Sequence, residues 1–289
     1  MVQFLFRQLA RLPLPVLHRL GAWAGWITYA ASPTYRRRLR ENLHAALGRE
    51  DPALLRAAIA ESGRQALEIA WIWLRPVEQL MAKVVRVEGW ERVEAAQREG
   101  CGLLFITPHL GCFEIIAQYI ATRLPITVLF RPPRKAVLRP LMEAGRTRAQ
   151  LRGAPADMSG VRTLVKTLRA HGAVGMLPDQ VPGAGEGVAV PFFGRPAWTM
   201  TLAARLADVK GVRTIYCWAE RLPQGRGYVL RMQAPTEELE GELDARCAAI
   251  NREIERLIMA CPQQYLWGYN RYKQPRAARP AVAQAGDER

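Results

Sequence analysis

The chain has 289 residues with 49% hydrophobic content, which excludes global disorder and allows one large core or two small ones. With 41 Lys and Arg against 26 Asp and Glu it carries a net charge of +15, so its partner is anionic: nucleic acid, an anionic membrane face, a phosphorylated substrate or an acidic protein. The five scattered cysteines show no C-x-x-C and no metal-ligand spacing, and read as free thiols of a reducing compartment.

Residues 20–35, LGAWAGWITYAASPTY, carry no charge and are followed at once by RRRLR, while upstream Phe and Leu alternate with Arg7, Arg11 and Arg19. The stretch is shorter than the ~18–20 residues of a confident span. Its Trp23, Trp26 and Tyr29 suit a headgroup boundary, and the arginines suit anionic lipid. Residues 1–35 are therefore expected to form a hydrophobic membrane-anchoring helix at the cytoplasmic side. A signal peptide ending near YAAS and an ordinary amphipathic core helix are the rival readings.

Residues 52–75 have helical periodicity. Strands are expected at 83–90, 101–108, 124–130, 172–178, 212–222 and 227–234. Helices are expected near 91–98, 112–123, 136–152, 160–171 and 198–208, with a final one over 236–260. The alternation predicts an α/β fold with a central mixed sheet flanked by helices, its last two strands antiparallel across PQGRG. Residues 36–273 would form this domain, and 274–289, rich in Pro, Ala and charge, read as a disordered tail.

The apolar run GLLFI leads into TPHLGCFE, residues 107–114. Of the four histidines only His109 has an acid five residues on, Glu114, so spacing alone is a weak signal. Its place is stronger, because catalytic groups of α/β folds gather where strands end and helices begin. There Glu114 is expected to reach back to the imidazole, and Gly111 with the free N–H groups of the new helix to face a developing oxyanion. Cys112 reads as a packing residue, and no G-x-S-x-G elbow is present.

After the next strand, residues 131–152 hold seven Arg and Lys against one acid. Most of these are a solvated face; Arg131, at the strand end, is placed to fork onto a phosphate or carboxylate. Asp179 and Gln180 end another strand, where Asp179 has a structural capping role and a substrate role open to it. The glycines at 183, 185 and 187 match no phosphate-loop spacing, and Thr199 reads as the N-cap of TLAARLA. The closing QYLWGYNRYK admits nucleic-acid stacking, a membrane-edge belt or C-terminal packing, with no nucleic-acid-binding signature to support the first.

Taken together these blocks resemble the bacterial lipid A late acyltransferases, the lauroyl/myristoyl acyltransferase family. HLGCFE resembles its His-x4-acid motif, LFRPPRK its "YRP" segment with Phe130 where Tyr is frequent, LPDQ…GVAVPFFGRPAWT its most distinctive block, and WGYNRYK its closing motif. The resemblance implies a glycerolipid acyltransferase-like fold and transfer of a fatty acyl chain to a hydroxyl of a Kdo-bearing lipid A precursor. The donor would be acidic acyl carrier protein, at the cytoplasmic face of the inner membrane, with no metal, no other cofactor and no nucleic acid. His109 would be the general base, Glu114 its orienting carboxylate, and Arg131 and Asp179 substrate-binding residues. A related acyltransferase with another lipid acceptor, a thioesterase and a non-catalytic basic binding protein are the alternatives.

Overall fold

A computed structural model of the chain describes residues 2–130, 139–183 and 185–274. Four helices come first: α1 (Val2–Arg11), α2 (Leu14–Ala31), α3 (Pro33–Leu47) and α4 (Pro52–Leu74). α4 starts where the sequence says it should, with Pro52 in its first turn and Asp51 accepting the Leu54 N–H at 2.9 Å. The short α5 (Val77–Met81) leads into alternating elements: β1 (Val84–Glu88), α6 (Trp90–Arg98), β2 (Gly102–Ile106), α7 (Phe113–Ala121) and β3 (Ile126–Phe130). α8 (Arg139–Arg146), β4 (Leu151–Pro155), α9 (Met158–Arg169) and β5 (Ala173–Met176) continue the pattern. A hairpin of β6 (Gly187–Phe192) and β7 (Arg195–Met200) interrupts it, before α10 (Leu202–Ala207), β8 (Val212–Arg221), β9 (Tyr228–Gln233) and α11 (Leu243–Ala260).

Seven strands form one mixed sheet in the order β1-β9-β8-β2-β5-β3-β4. All neighbours are parallel except β8 and β9, the antiparallel pair expected across PQGRG. The central strands GLLFI and AVGM are buried throughout, as strands covered on both faces must be. Leu103 and Phe105 pack into the core on one side, and Leu104 and Ile106 into the core on the other, so helices cover both faces.

Three expectations are corrected here. Of the helix expected over 136–152, α8 forms at Arg139–Arg146, and its end gives way to β4, an edge strand whose exposed Arg152 and Gly153 disguise it. Thr199 is a hairpin residue, not a helix cap: its hydroxyl accepts from Asn251 at 3.0 Å and Arg271 at 2.8 Å, and α10 begins after Thr201. The final helix starts at Leu243 rather than 236. The tail beyond residue 274 lies outside the described residues.

The single anchoring helix expected over residues 1–35 is divided into α1 and α2, and no helix among the described residues is long and apolar enough to cross a membrane. α2 instead lies against α4 at a glycine contact. A Cβ on Gly63 would come within 1.9 Å of the Gly21 carbonyl oxygen, and one on Gly25 within 2.2 Å of the Ile59 oxygen. Small residues let the two backbones meet, and Leu14 and Leu17 enter the main core. Gly63→Ala is accordingly expected to lower the melting temperature by roughly 5 °C or more, which a thermal scan would read.

A buried ionic cluster then fixes this helical pair to the sheet. Arg221 of β8 forks onto Glu68 of α4, its Nε 2.8 Å from Oε2, and reaches Glu61 at 2.6 Å. Tyr228 of β9 donates to Glu68 at 3.1 Å, and His18 of α2 lies 3.2 Å from the same oxygen. Burial pushes the Glu68 carboxyl up, but Arg221 and His18 more than reverse this and hold it at about 2. A depressed carboxylate stabilises the fold above its unfolded value near 4.5 and loses that contribution as pH falls toward 2. Unfolding free energy should therefore drop by roughly 3 kcal/mol from this group across that window, measurable by urea titration at successive pH values.

Candidate active site

The site grows out of the register between β2 and β5. Ile106 pairs with Met176, so the segments ITPH and MLPD leave adjacent parallel strands in step. His109 and Asp179 follow their paired residues at the same offset, which brings them side by side. The Asp179 carboxylate accepts twice from His109: the backbone N–H donates to Oδ2 at 2.9 Å and the ring Nδ1 to Oδ1 at 2.8 Å. Asp179 is 1% exposed. Burial alone would raise its carboxyl, yet the facing His109 and the Arg271 charge hold it below the usual carboxylate range. An ionised carboxylate only accepts, so Nδ1 carries the proton and Nε2 keeps its lone pair.

The carboxylate expected to orient His109 does something else. Glu114, in the first turn of α7, points to α4 and α8: Trp73 Nε1 donates to it at 3.0 Å, Arg146 Nε at 3.2 Å, and a second Arg146 nitrogen closes the fork. The turn at 108–112 consumes the five-residue offset. What meets the imidazole from α7 is the Phe113 ring, 4.7 Å away between centroids at 60°. Glu114 still lines the same cavity as His109, with the Arg146 guanidinium beside it.

That cavity, about 240 Å³, runs between α7, β3, β5 and the loop after β5. Its walls are otherwise apolar, from residues such as Ala117, Val128, Leu151, Met176 and Met200. Gln180 lines it beside the imidazole, its Nε2 3.1 Å from His109 Nε2. Arg131, the remaining expected site residue, lies outside the described residues.

The turn that carries His109 is fastened from three directions. Gln65 of α4 donates to the carbonyls of Gly111 at 3.2 Å and His109 at 3.4 Å. The Gly111 N–H donates to the Gln264 carbonyl at 3.0 Å, and that of Cys112 to Ala219 at 2.9 Å. Gly111 has φ +59°, and a Cβ there would stand 1.9 Å from the Ala219 oxygen, so only glycine fits. The expected oxyanion role of the Gly111 N–H is thus corrected, since that donor is spent on the fold. Burial pushes the Cys112 thiol well above its ordinary value, in keeping with a packing residue.

The two late sequence blocks meet each other beside Asp179. Arg271, 2% exposed, donates to the Trp198 carbonyl at 2.7 Å and to Thr199, and Tyr272 donates to the Phe192 carbonyl at 3.0 Å. The Tyr269 hydroxyl accepts the Val181 N–H at 2.9 Å, tying down the loop that holds Gln180. QYLWGYNRYK is therefore C-terminal packing that supports the site. Neither Gln65 nor the support from Arg271 was identified in the sequence, where Gln65 carries no motif.

A family model described as bacterial lipid A biosynthesis acyltransferase matches residues 1–274. Among curated relatives, the lipid A biosynthesis lauroyltransferase of Escherichia coli K12 is 26% identical over 271 residues, covering 91% of this chain and 87% of its own. The lipid A biosynthesis palmitoleoyltransferase of the same organism is 27% identical over 273 residues, covering 91% and 87%. A lipid A biosynthesis acyltransferase of Haemophilus influenzae is 26% identical over 281 residues, covering 93% and 88%. With nearly its whole length matched, the chain belongs to the bacterial lipid A biosynthesis acyltransferase family.

Proposed function

We propose that this acyltransferase moves a fatty acyl chain of the lauroyl/myristoyl class from acyl carrier protein to a hydroxyl on the acyl chains of a Kdo-bearing lipid A precursor. The observation that carries the reading is the His109 lone pair, oriented by Asp179 and opening into an apolar cavity. His109 Nε2 takes the acceptor hydroxyl proton as the oxygen attacks the thioester carbon. Asp179 stabilises the imidazolium, which then returns the proton to the departing thiolate. Nothing in this step calls on a metal or a further cofactor. Glu114 and Arg146 present a held ion pair at the cavity wall, and Arg131 takes an anionic group of the substrate. The net charge of +15 suits both an acidic carrier protein and a phosphorylated, carboxylated acceptor.

The lipid would arrive across the N-terminal helices, at the cytoplasmic face of the inner membrane. Among the described residues ten large apolar side chains are exposed, and seven of them sit on α1 and α2, with Trp23 72% and Ile27 64% exposed. Val16, Leu20, Trp23 and Ile27 follow helical spacing on the face opposite α4, and Arg7, Arg11 and Arg19 are exposed beside them. Such a face lies in a headgroup layer without spanning it. It is close to the chemistry, because Phe6 stacks on Trp73 at 6.4 Å and Trp73 bonds Glu114 in the cavity. The double substitution Trp23→Ser, Ile27→Ser is expected to weaken binding to anionic vesicles at least about tenfold and leave turnover of detergent-dispersed acceptor intact. Vesicle co-sedimentation beside a detergent assay would read both.

The direct test incubates purified protein with a panel of acyl carrier protein thioesters and the Kdo-bearing precursor, reading product by mass spectrometry. One added acyl mass supports the proposal and names the chain. Transfer only to a glycerophospholipid, ornithine lipid or glycolipid would reassign the acceptor, free fatty acid alone would mean a thioesterase, and no thioester consumption would sink the reading.

A further inference from the structure

We infer that Gln180 is a catalytic residue: its side-chain amide donates to the thioester carbonyl oxygen as that oxygen becomes an oxyanion. The inference deepens the acyl-transfer reading and rests on it. Acyl transfer to a hydroxyl places negative charge on the carbonyl oxygen, and a water-poor cavity must supply a donor to it. The catalytic turn does not do so. All its amides are committed: His109 to Asp179, Leu110 to the Pro108 carbonyl at 2.7 Å, Gly111 to Gln264 and Cys112 to Ala219.

Among the described residues lining the cavity, four carry polar side chains: His109, Glu114, Arg146 and Gln180. His109 is the base, and Glu114 and Arg146 hold each other. Gln180 remains as the neutral donor, with the first amides of α7 as its backbone companions.

Its position fits the step. The Gln180 N–H points at the His109 lone pair, 3.1 Å away, where the acceptor hydroxyl must bind. When that hydroxyl takes over the lone pair, the amide loses its partner within one bond of the reacting carbon. The acceptor oxygen forms a bond to the carbonyl carbon and passes its proton to Nε2. The carbonyl π pair moves to oxygen, which accepts the Gln180 N–H. Collapse restores the carbonyl, breaks the carbon–sulfur bond, and the thiolate leaves as thiol with the proton from Nε2. Asp179 keeps Gln180 in place through the chain itself, and Val181, bonded to Tyr269, fixes the residue beyond.

Gln180→Met keeps the length and bulk of the side chain and removes the N–H. Steady-state kinetics would compare it with wild type and Gln180→Ala, using lauroyl-acyl carrier protein and whichever acceptor wild type acylates. The expected result is a kcat lowered about 10²-fold in both variants, with both KM values within about threefold of wild type. A residue that merely shapes the loop would raise KM or lower the melting temperature instead. A residue that merely blocks the base would raise kcat on removal. Either result, or a Gln180→Met variant with wild-type kcat, overturns the inference while leaving the acyl-transfer reading in place. A wild-type protein that acylates nothing overturns that reading first, and this one with it.

Discussion

His109→Asn is expected to cut acyl transfer by about 10³–10⁴-fold and to leave the melting temperature within a few degrees of wild type. The choice of Asn matters. Asp179 is fully buried and ionised, so removing the imidazole outright would strand a charge in the core, a change that is destabilising in its own right. An Asn amide can still donate toward Oδ1, where Nδ1 donates now at 2.8 Å, and the backbone N–H continues to donate to Oδ2. What disappears is the second ring nitrogen, the only part of His109 that faces the cavity with a lone pair. A single-turnover assay followed by product mass, beside a thermal scan, separates lost chemistry from lost fold. Activity within tenfold of wild type in a folded His109→Asn protein would remove His109 from the reaction.

How much of this was legible in the sequence depended on whether the information was local. The buried runs GLLFI and AVGM announce themselves as central strands, and helical periodicity marks α4. β4 was hidden because LRGAP, at the sheet edge, is exposed at Arg152, Gly153 and Pro155 and lacks the apolar signal of its neighbours. The β6–β7 hairpin was hidden by its prolines, which make poor strand residues, yet Pro191 and Pro196 face each other across it. α2 reads as a membrane segment because one face is apolar toward solvent and the other packs on α4 through glycines that carry no hydrophobic signal.

The site shows the same division. His109 was visible from its place after a strand. Its partner was not, because Asp179 stands 70 residues away and only the pairing of β2 with β5 brings it near. One signal was available: ITPH and MLPD each end a buried strand and put a polar residue after proline at the same offset. Glu114 was the local candidate, but the turn between strand and helix consumes the distance that a continuous helix would have used, and its carboxylate meets Trp73 and Arg146.

Asp179→Asn is accordingly expected to lower kcat about 10³–10⁴-fold, and Glu114→Gln by about tenfold or less. The reason lies in how many acceptors each partner needs. Asp179 receives two N–H groups, one from the His109 backbone and one from Nδ1. An Asn has one acceptor and one donor on the same amide. The backbone N–H cannot change, so the Asn oxygen must face it and the NH2 must face Nδ1. That orientation removes the proton from Nδ1, moves it to Nε2, and leaves the cavity with a ring nitrogen that can no longer take one. The fold should survive, since the amide matches the carboxylate in shape and the buried charge is gone. Glu114→Gln has no such effect on the imidazole: it weakens the fork with Arg146 and leaves the Trp73 bond and the His109 tautomer as they are. Its cost should appear in stability, about 1–3 kcal/mol, and in substrate binding rather than in kcat. The comparison is made by measuring kcat and KM for both variants on one substrate pair. The opposite order, with Glu114→Gln the more damaging to kcat, would mean that substrate draws Glu114 away from Arg146 and onto the imidazole. It would also return the orienting role to the carboxylate that the five-residue spacing first pointed to.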